Sequence, residues 1–308
     1  MLQMRLNIGK SPGDKLFFLA LIFILCAAYQ SASAQFSEDI NINWGEEYKA
    51  PNKSRFIKIL GSDESYFYTL RIKYGVSAAQ NELFVERFNI NTSKLVDVSM
   101  LNLKYQKKLR VFHDILKVKD QFYLITSYHN RGQKKNYLFA QAFNSKMKVS
   151  DKLIKIGEID VKNMDREGDF DVKLSRDSSK ILVYHDLPGK KSDNEKLALT
   201  VYDQEFEELW SKNVNLPYDN KSFALEEYKV DNLGNVYLLG VRFYDGNKLR
   251  RKGKPNYEYT LISYSNNGEN RFDYNFRDAD KFFTDLTCLL YTSPSPRDAT
   301  LSRMPSSA

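Results

Sequence analysis

Residues Val230 to Gly240 read VDNLGNVYLLG, and this stretch decides the fold class. An aspartate precedes a Gly-Asn turn, and an alternating apolar strand that contains one tyrosine follows the turn. Turn residues next to an alternating apolar run are typical of antiparallel strands. Degraded copies of the phrase recur about every 56 residues, and a fixed period of this size indicates a repeat architecture. We therefore expect the chain to be built from copies of one supersecondary unit.

Each unit contains four short strands. Its anchor strand carries Phe67, Phe122, Ile181 or Val236, and the steps between these residues are 55, 59 and 55. One strand precedes each anchor strand and two strands follow it, with Asn, Asp, Gly or Ser at the turns. In the second unit, the pattern predicts the last strand within SKMKVSDKL, residues 145–153.

Four-stranded units at a period of roughly 40 to 50 residues are the signature of β-propeller blades. The sequence therefore predicts an all-β fold, a partial β-propeller of four-stranded antiparallel blades. It predicts four blades and the stub of a fifth, which begins at Lys281 to Thr287 and is truncated at the C-terminus. An open array of β-sandwiches or a β-solenoid is the alternative, although four strands per unit suit blades best.

Three phrases resemble known families. LSRDSSKILVYH (Leu174 to His185) resembles the S-P-D-G-K-K-I-A-F phrase of TolB-type propeller blades, and VDNLGNVYLLG resembles the D-x-x-G-N-V-Y-V phrase of NHL-type propellers. The chain is also similar to uncharacterised secreted bacterial proteins that open with W-G-x-E-Y-K, here Trp44 to Lys49. These resemblances imply a secreted, propeller-like protein, and they imply no functional residues.

The N-terminus has the pattern of a secretory leader. An unbroken apolar run, Leu16 to Ala28, follows three basic residues and precedes the small residues Ala32 to Ala34. Such a run is short for a membrane span and typical of a signal peptide. We predict a signal peptide over residues 1–34, export to the periplasm, the cell surface or the medium, and no transmembrane segment after cleavage. An N-terminal anchor helix, or a lipid anchor at Cys26, is the alternative.

The C-terminus departs from the repeat. Cys288 to Asp298 reads CLLYTSPSPRD, and Ser302 to Ala308 reads SRMPSSA. Both phrases resemble translations of sequencing-library adapter DNA, in matching order and frame. We therefore expect residues 288–308 to be a non-native, disordered tail, the repeat domain to span residues 35–287, and the natural protein to continue beyond it. The alternative is a natural Ser/Pro-rich tail.

Composition restricts the function classes. The formal net charge is +7, but the two ends contribute almost half of it, which leaves a body of about +4 that is no argument for a nucleic-acid partner. Both cysteines, Cys26 and Cys288, also lie in the ends. The body therefore has no thiol for a disulfide, a cysteine nucleophile or a cysteine-based zinc site.

We find no pattern of catalytic or metal-binding residues. The histidines His113, His129 and His185 fall in different units without metal-ligand spacing, and there is no phosphate-binding loop or nucleophile elbow. We therefore assign no catalytic residue, metal or cofactor, and expect a binding module rather than an enzyme. One alternative is a glycan-active propeller hydrolase or lyase with carboxylates on its inner strands, at Asp114, Asp171 and Glu226. Another is the sensor domain of a longer protein.

Basic residues cluster in one loop of three units, between the second and third strands. The candidate ligand-binding residues are Arg131, Lys134, Lys135, Lys190, Lys191, Lys248, Arg250, Arg251, Lys252 and Lys254. Equivalent loops of up-and-down blades emerge on one face, where their charges add to one positive potential. We therefore expect this face to bind a polyanion, namely an acidic polysaccharide, an anionic lipid head group or an acidic protein. Alternatively, the charges only keep the loops solvated.

Overall fold

A computed structural model describes residues 47–76, 81–144, 147–161, 170–187, 194–219, 221–244, 250–278 and 280–283. The predicted signal peptide, the first half of the W-G-x-E-Y-K phrase and the predicted non-native tail lie outside these residues. The described residues form strands and turns and contain no helix. None of their segments is therefore a helix long and apolar enough to cross a membrane.

Four antiparallel sheets of four strands account for most of the described chain. Sheet one contains β1 (Ser54–Ser62), β2 (Tyr66–Lys73), β3 (Glu82–Asn89) and β4 (Leu95–Met100). A small hairpin follows, β5 (Lys104–Tyr105) and β6 (Lys108–Leu109). Sheet two contains β7 (Val111–Val118), β8 (Gln121–Asn130), β9 (Lys135–Ala142) and β10 (Ile154–Asp160).

Sheet three contains β11 (Phe170–Leu174), β12 (Ile181–Asp186), β13 (Asn194–Tyr202) and β14 (Glu208–Asp219). Sheet four contains β15 (Phe223–Val230), β16 (Val236–Phe243), β19 (Tyr257–Ser265) and β20 (Asn270–Phe276). A second small hairpin, β17 (Arg250–Arg251) and β18 (Lys254–Pro255), lies within the loop between β16 and β19. In every sheet, strands that follow one another in the order given are hydrogen-bonded neighbours.

The sheets are the blades of a partial β-propeller. Their first strands are neighbours in chain order, β1 beside β7, β7 beside β11 and β11 beside β15, so these strands are the inner ones. A separate hydrophobic core lies between each pair of successive blades. Leu70 of blade one and Leu124 of blade two lie in the core between these two blades. Ile125 of blade two lies in the core that it shares with blade three, and Leu199 of blade three lies in the core that it shares with blade four. The predicted all-β, propeller-like class is confirmed.

The predicted anchor residues lie in equivalent strands. They occupy the second strand of each blade, in β2, β8, β12 and β16. The fifth unit is only partly described, because Lys281 to Phe283 form no strand and the remainder of the predicted stub lies outside the described residues.

One strand prediction is wrong, the outer strand of blade two. It lies in β10, beyond the predicted residues 145–153. Asn144 instead begins a turn in which its carbonyl accepts the Met147 amide at 2.9 Å, and Met147 adopts a φ of +54°. Met147 is buried in the core between blades one and two. This burial holds the chain in a turn that a purely local pattern cannot reveal.

The structure of the turn in VDNLGNVYLLG shows why an aspartate and a glycine stand there. Asp231 Oδ1 accepts the backbone amides of Leu233 and Asn235, both at 2.9 Å. Gly234 has a φ of +86°, which suits glycine, and its carbonyl accepts the indole Nε1 of Trp210 at 3.0 Å. The aspartate and the glycine therefore hold the turn before β16, and the tryptophan of β14 fastens the turn to blade three.

Candidate functional site at the loop end of the blades

In each up-and-down blade, the second and fourth strands run in the same direction. The loop after the second strand and the connection after the fourth strand therefore leave the sheet at the same end. We call this end of the blades the loop end. It carries the predicted basic loops.

Two predicted residues lie in the tight turn between β8 and β9. Arg131 and Lys134 are exposed, and the Lys134 amide donates to the Arg131 carbonyl at 3.3 Å. Lys134 has a φ of +53°, which tightens the turn. Neither side chain forms an ion pair with a described residue. Both cations therefore face solvent and are available to a ligand.

Two other predicted lysines already have acidic partners. Lys135 forms an ion pair with Glu158 and lies 3.8 Å from Asp160, both in the neighbouring strand β10. The hydrogen bond from Lys135 lowers the pKa of Glu158, so this carboxylate stays ionised beside it. Lys254 pairs with Asp280 at 2.9 Å. These two charges are partly neutralised where they stand.

The other predicted basic residues belong to the loops of blades three and four. Lys252 is exposed at the tip of the β17–β18 hairpin, where it has a φ of +51°. For Arg250 and Arg251 the structure describes only the backbone, in β17. Lys190, Lys191 and Lys248 lie outside the described residues. Their convergence on one face stays a prediction.

The structure adds a basic hairpin that the sequence argument missed. The β5–β6 hairpin lies in the connection between blades one and two, and therefore at the loop end. Lys104, Lys107 and Lys108 are exposed on it, and the Lys108 ammonium lies 4.8 Å from the centre of the Tyr128 ring. Its sequence signal is the charge run KYQKKLR, residues 104–110, which falls in the connection between two units and not between the second and third strands of one unit.

A row of ionisable residues occupies one register position on the inner strands. In each blade, one ionisable residue of the inner strand pairs with the residue that lies three positions after the anchor residue in the second strand. These inner-strand residues are Lys58, Asp114, Asp171 and Glu227. Glu226, the predicted inner-strand carboxylate, instead lies at a β-bulge between Leu225 and Glu227. An extra residue at a bulge is displaced from the regular alternation, so Glu227 takes its place in the row.

The inner-strand carboxylates join blades to one another. Lys58 Nζ lies 2.5 Å from Asp114 Oδ1, which links β1 to β7. The Tyr228 hydroxyl donates to Asp171, which links β15 to β11. Burial raises the pKa of Asp171, but the bonds from Tyr228 and Lys173 outweigh it, and the pKa ends below its ordinary value. Burial and the bond to Asp171 raise the pKa of Tyr228.

A pair of stacked tyrosines extends this contact. The rings of Tyr184 and Tyr228 lie 4.3 Å apart at an angle of 14°, and the Tyr184 hydroxyl donates to Asp186. Burial also raises the pKa of Tyr184, so both phenols keep their protons and donate them to carboxylates. The cluster is satisfied within the protein and holds blades three and four together.

No family model and no curated protein sequence matches the chain. Among solved structures, it is similar to the β-propeller domain of the Trilobed protease from Pyrococcus furiosus, at 8% identity and a TM-score of 0.40 over 75% of this chain and 59% of that one. It is similar to the acylaminoacyl peptidase of Pyrococcus horikoshii, at 6% identity and a TM-score of 0.38 over 73% of this chain and 32% of that one. The chain is also similar to the GH93 α-L-arabinofuranosidase of Fusarium graminearum, solved with arabinobiose, at 12% identity and a TM-score of 0.36 over 72% of this chain and 65% of that one. The chain thus spans less than two thirds of each of these proteins.

Among the described residues, no group of three or more His, Cys, Asp or Glu side chains is placed to hold a metal ion. What the described geometry offers is a solvent-facing group of cations at one end of the blades, and carboxylates that serve contacts between blades.

Proposed function

We propose that the protein is an exported binding module that recognises an acidic polysaccharide through the loop end. The β5–β6 hairpin carries this proposal. It places Lys104, Lys107 and Lys108 at the same end of the blades as Arg131 and Lys134, and all five side chains are exposed. None of them forms an ion pair with a described residue.

Several cations on neighbouring loops act on a polymer together. Each exposed pair with a single anion contributes little, because water and salt screen it. A polyanion presents many charges at once, so its attraction to the summed positive potential is larger than any single pair. The binding should therefore weaken strongly as the salt concentration rises.

The inner-strand carboxylates favour binding over hydrolysis. A general acid and base need carboxylates free to reach a substrate. Asp114 is paired with Lys58, and Asp171 accepts the Tyr228 hydroxyl, so both are engaged between blades. A glycan-active hydrolase or lyase is accordingly the less supported function.

The test is retention on immobilised heparin, a soluble acidic polysaccharide. We expect a triple variant, Lys104→Glu, Lys107→Glu and Lys108→Glu, to elute at a clearly lower salt concentration than the wild type. The matched control makes the same change of charge at the opposite end of the blades, with Lys94→Glu, Lys152→Glu and Arg176→Glu. Equal elution of the two triple variants would show that net charge alone explains retention, and the proposal would be abandoned.

Export is tested separately. Mass spectrometry of the chain after expression with its own N-terminus should find a mature protein that begins near Gln35. An intact N-terminus at Met1 in the exported fraction would contradict cleavage.

A further inference from the structure

A cleft lies between the outer part of blade one and the face of blade two. Its volume is about 400 Å³, and it is lined among others by Met100 of β4, Tyr105 of the β5–β6 hairpin, and Arg110, Gln141 and Asp151. Pockets that bind small molecules have volumes from about 300 to 1,000 Å³. The cleft is therefore large enough for a ligand the size of a monosaccharide.

Arg110 is a buried cation that has no carboxylate partner among the described residues. Only 5% of the residue is exposed, its Nη1 donates to Thr126 Oγ1 at 3.0 Å, and its guanidinium lies 5.2 Å from the centre of the Tyr105 ring. Its Nε has no hydrogen-bond partner among the described residues. Burial lowers the pKa of Arg110, but a guanidinium stays charged in proteins.

Arg87 of β3 is a half-buried arginine whose Nε also has no hydrogen-bond partner among the described residues, but whose charge is paired. Its guanidinium lies 4.9 Å from the centre of the Tyr66 ring, much as Arg110 lies beside Tyr105, but it also pairs with Asp97 at 3.6 Å. A buried charge without such a partner is costly. Arg110 therefore has the properties of a group whose counterion comes from a ligand.

Gln141 adds an acceptor to the same cleft. Only 2% of the residue is exposed, and its Nε2 donates to the Ser150 carbonyl at 2.7 Å. Because a carbonyl oxygen can only accept, this bond fixes the orientation of the amide. The Oε1 atom is then left buried, with no partner among the described residues. Beside the cleft, Arg110 Nε and Gln141 Oε1 are thus two buried polar atoms, one a charged donor and one a neutral acceptor, that have no partner among the described residues.

We propose that this cleft binds a hydroxy-carboxylate, the chemistry of a uronic acid in an acidic saccharide. The ligand carboxylate accepts hydrogen bonds from the Arg110 guanidinium, because the planar donor fork of arginine matches the geometry of a carboxylate. A hydroxyl of the ligand donates to Gln141 Oε1, and the Tyr105 ring and Met100 offer apolar surface to the sugar. The choice of a saccharide rests on the proposed function, whereas the requirement for an anion and a hydroxyl donor rests on the cleft alone.

The test is calorimetric titration of the full chain with glucuronate, with glucose, which lacks the carboxylate, and with a hyaluronate tetrasaccharide, in which the uronate belongs to a polymer. We expect glucuronate or the tetrasaccharide to bind and glucose to bind at least tenfold more weakly. Whichever of the two acids binds more tightly identifies the free acid or the polymer as the source. Equal binding of glucuronate and glucose, or binding of neither acid, would overturn the inference.

Variants then assign the binding to the cleft. We expect Arg110→Met to abolish glucuronate binding and Gln141→Leu to weaken it about tenfold, as expected for one lost hydrogen bond. Arg87→Met is the matched control and should bind as the wild type does. Because Arg110→Met removes an uncompensated buried charge, its melting temperature without ligand should equal or exceed that of the wild type. Wild-type affinity in Arg110→Met and Gln141→Leu would refute the site.

The two proposals fail in different ways. If the wild type is retained on heparin but binds neither acid, the cleft inference fails and the loop-end proposal stands. If the lysine triple variant leaves heparin retention unchanged while Arg110→Met loses glucuronate, the loop-end proposal fails and the cleft stands.

Discussion

Replacing Gly240 by alanine tests how closely the strand of VDNLGNVYLLG packs in blade four. Gly240 lies in β16, opposite Leu225 of β15, and the ring of Phe223 covers it. A Cβ atom on Gly240 would lie 2.1 Å from Phe223 Cζ and 2.6 Å from its Cε2. Carbon atoms in contact are normally about 3.5 to 4.0 Å apart, so the ring would have to move by more than about 1 Å.

The surroundings of the ring determine the magnitude. Phe223 is buried and stacks on Tyr218, with ring centres 4.8 Å apart at 15°. Forcing extra volume into such a site costs about 1 to 3 kcal/mol, and a contact this short belongs at the upper end. Because Gly240 does not have a positive φ, alanine can adopt its backbone conformation. Alanine also reduces the conformational freedom of the unfolded chain, and this effect stabilises the folded protein by about 0.4 to 1 kcal/mol. The expected net loss in the free energy of unfolding is about 2 kcal/mol.

Urea unfolding, followed by the fluorescence of buried Trp210, measures this loss. Gly132→Ala is the matched control, since its Cβ would meet only Asn130 Oδ1 at 3.6 Å, and a change within about 0.5 kcal/mol is expected. In the Phe223→Leu background, which gives the methyl group space, Gly240→Ala should cost much less. If Gly240→Ala is no more destabilising than Gly132→Ala, or if its cost is unchanged in that background, the packing argument is refuted.

Two further perturbations address the turn and a buried histidine. Asp231→Ala leaves the amides of Leu233 and Asn235 without their acceptor and should lower the free energy of unfolding by about 2 kcal/mol in the same urea assay, whereas Asp231→Asn, which keeps an acceptor oxygen, should cost less. His185 is buried, and burial lowers its pKa from 6.5 to about 4. Between pH 6.5 and pH 4, the unfolded chain therefore binds a proton at His185 that the folded chain does not bind. The free energy of unfolding is unaffected by this group above pH 6.5, and it falls by about 3 kcal/mol in total as the pH drops toward 4. His185→Gln should flatten that part of the curve of stability against pH, and a slope equal to that of the wild type would contradict the assignment.

Much of the fold can be predicted from the sequence, because the signals that carry it are local. Alternation along a strand is set by backbone geometry, and the turn before β16 is held by a side chain and a glycine within five residues of each other. The anchor residues therefore identify the second strand of every blade. The outer strand of blade two escaped prediction because Met147, buried against blade one, holds its turn.

The sequence alone therefore determined the repeat, the all-β class and the basic character of the loops between second and third strands. The tertiary structure decided which charges are available. It showed Lys135 and Lys254 paired with acids, added the exposed lysines of the β5–β6 hairpin, and placed Arg110 and Gln141 in one cleft with unsatisfied polar atoms. The physical reason is that a charge is neutralised or left uncompensated by neighbours that are distant in the chain, and only the packing of one blade against the next brings those neighbours together.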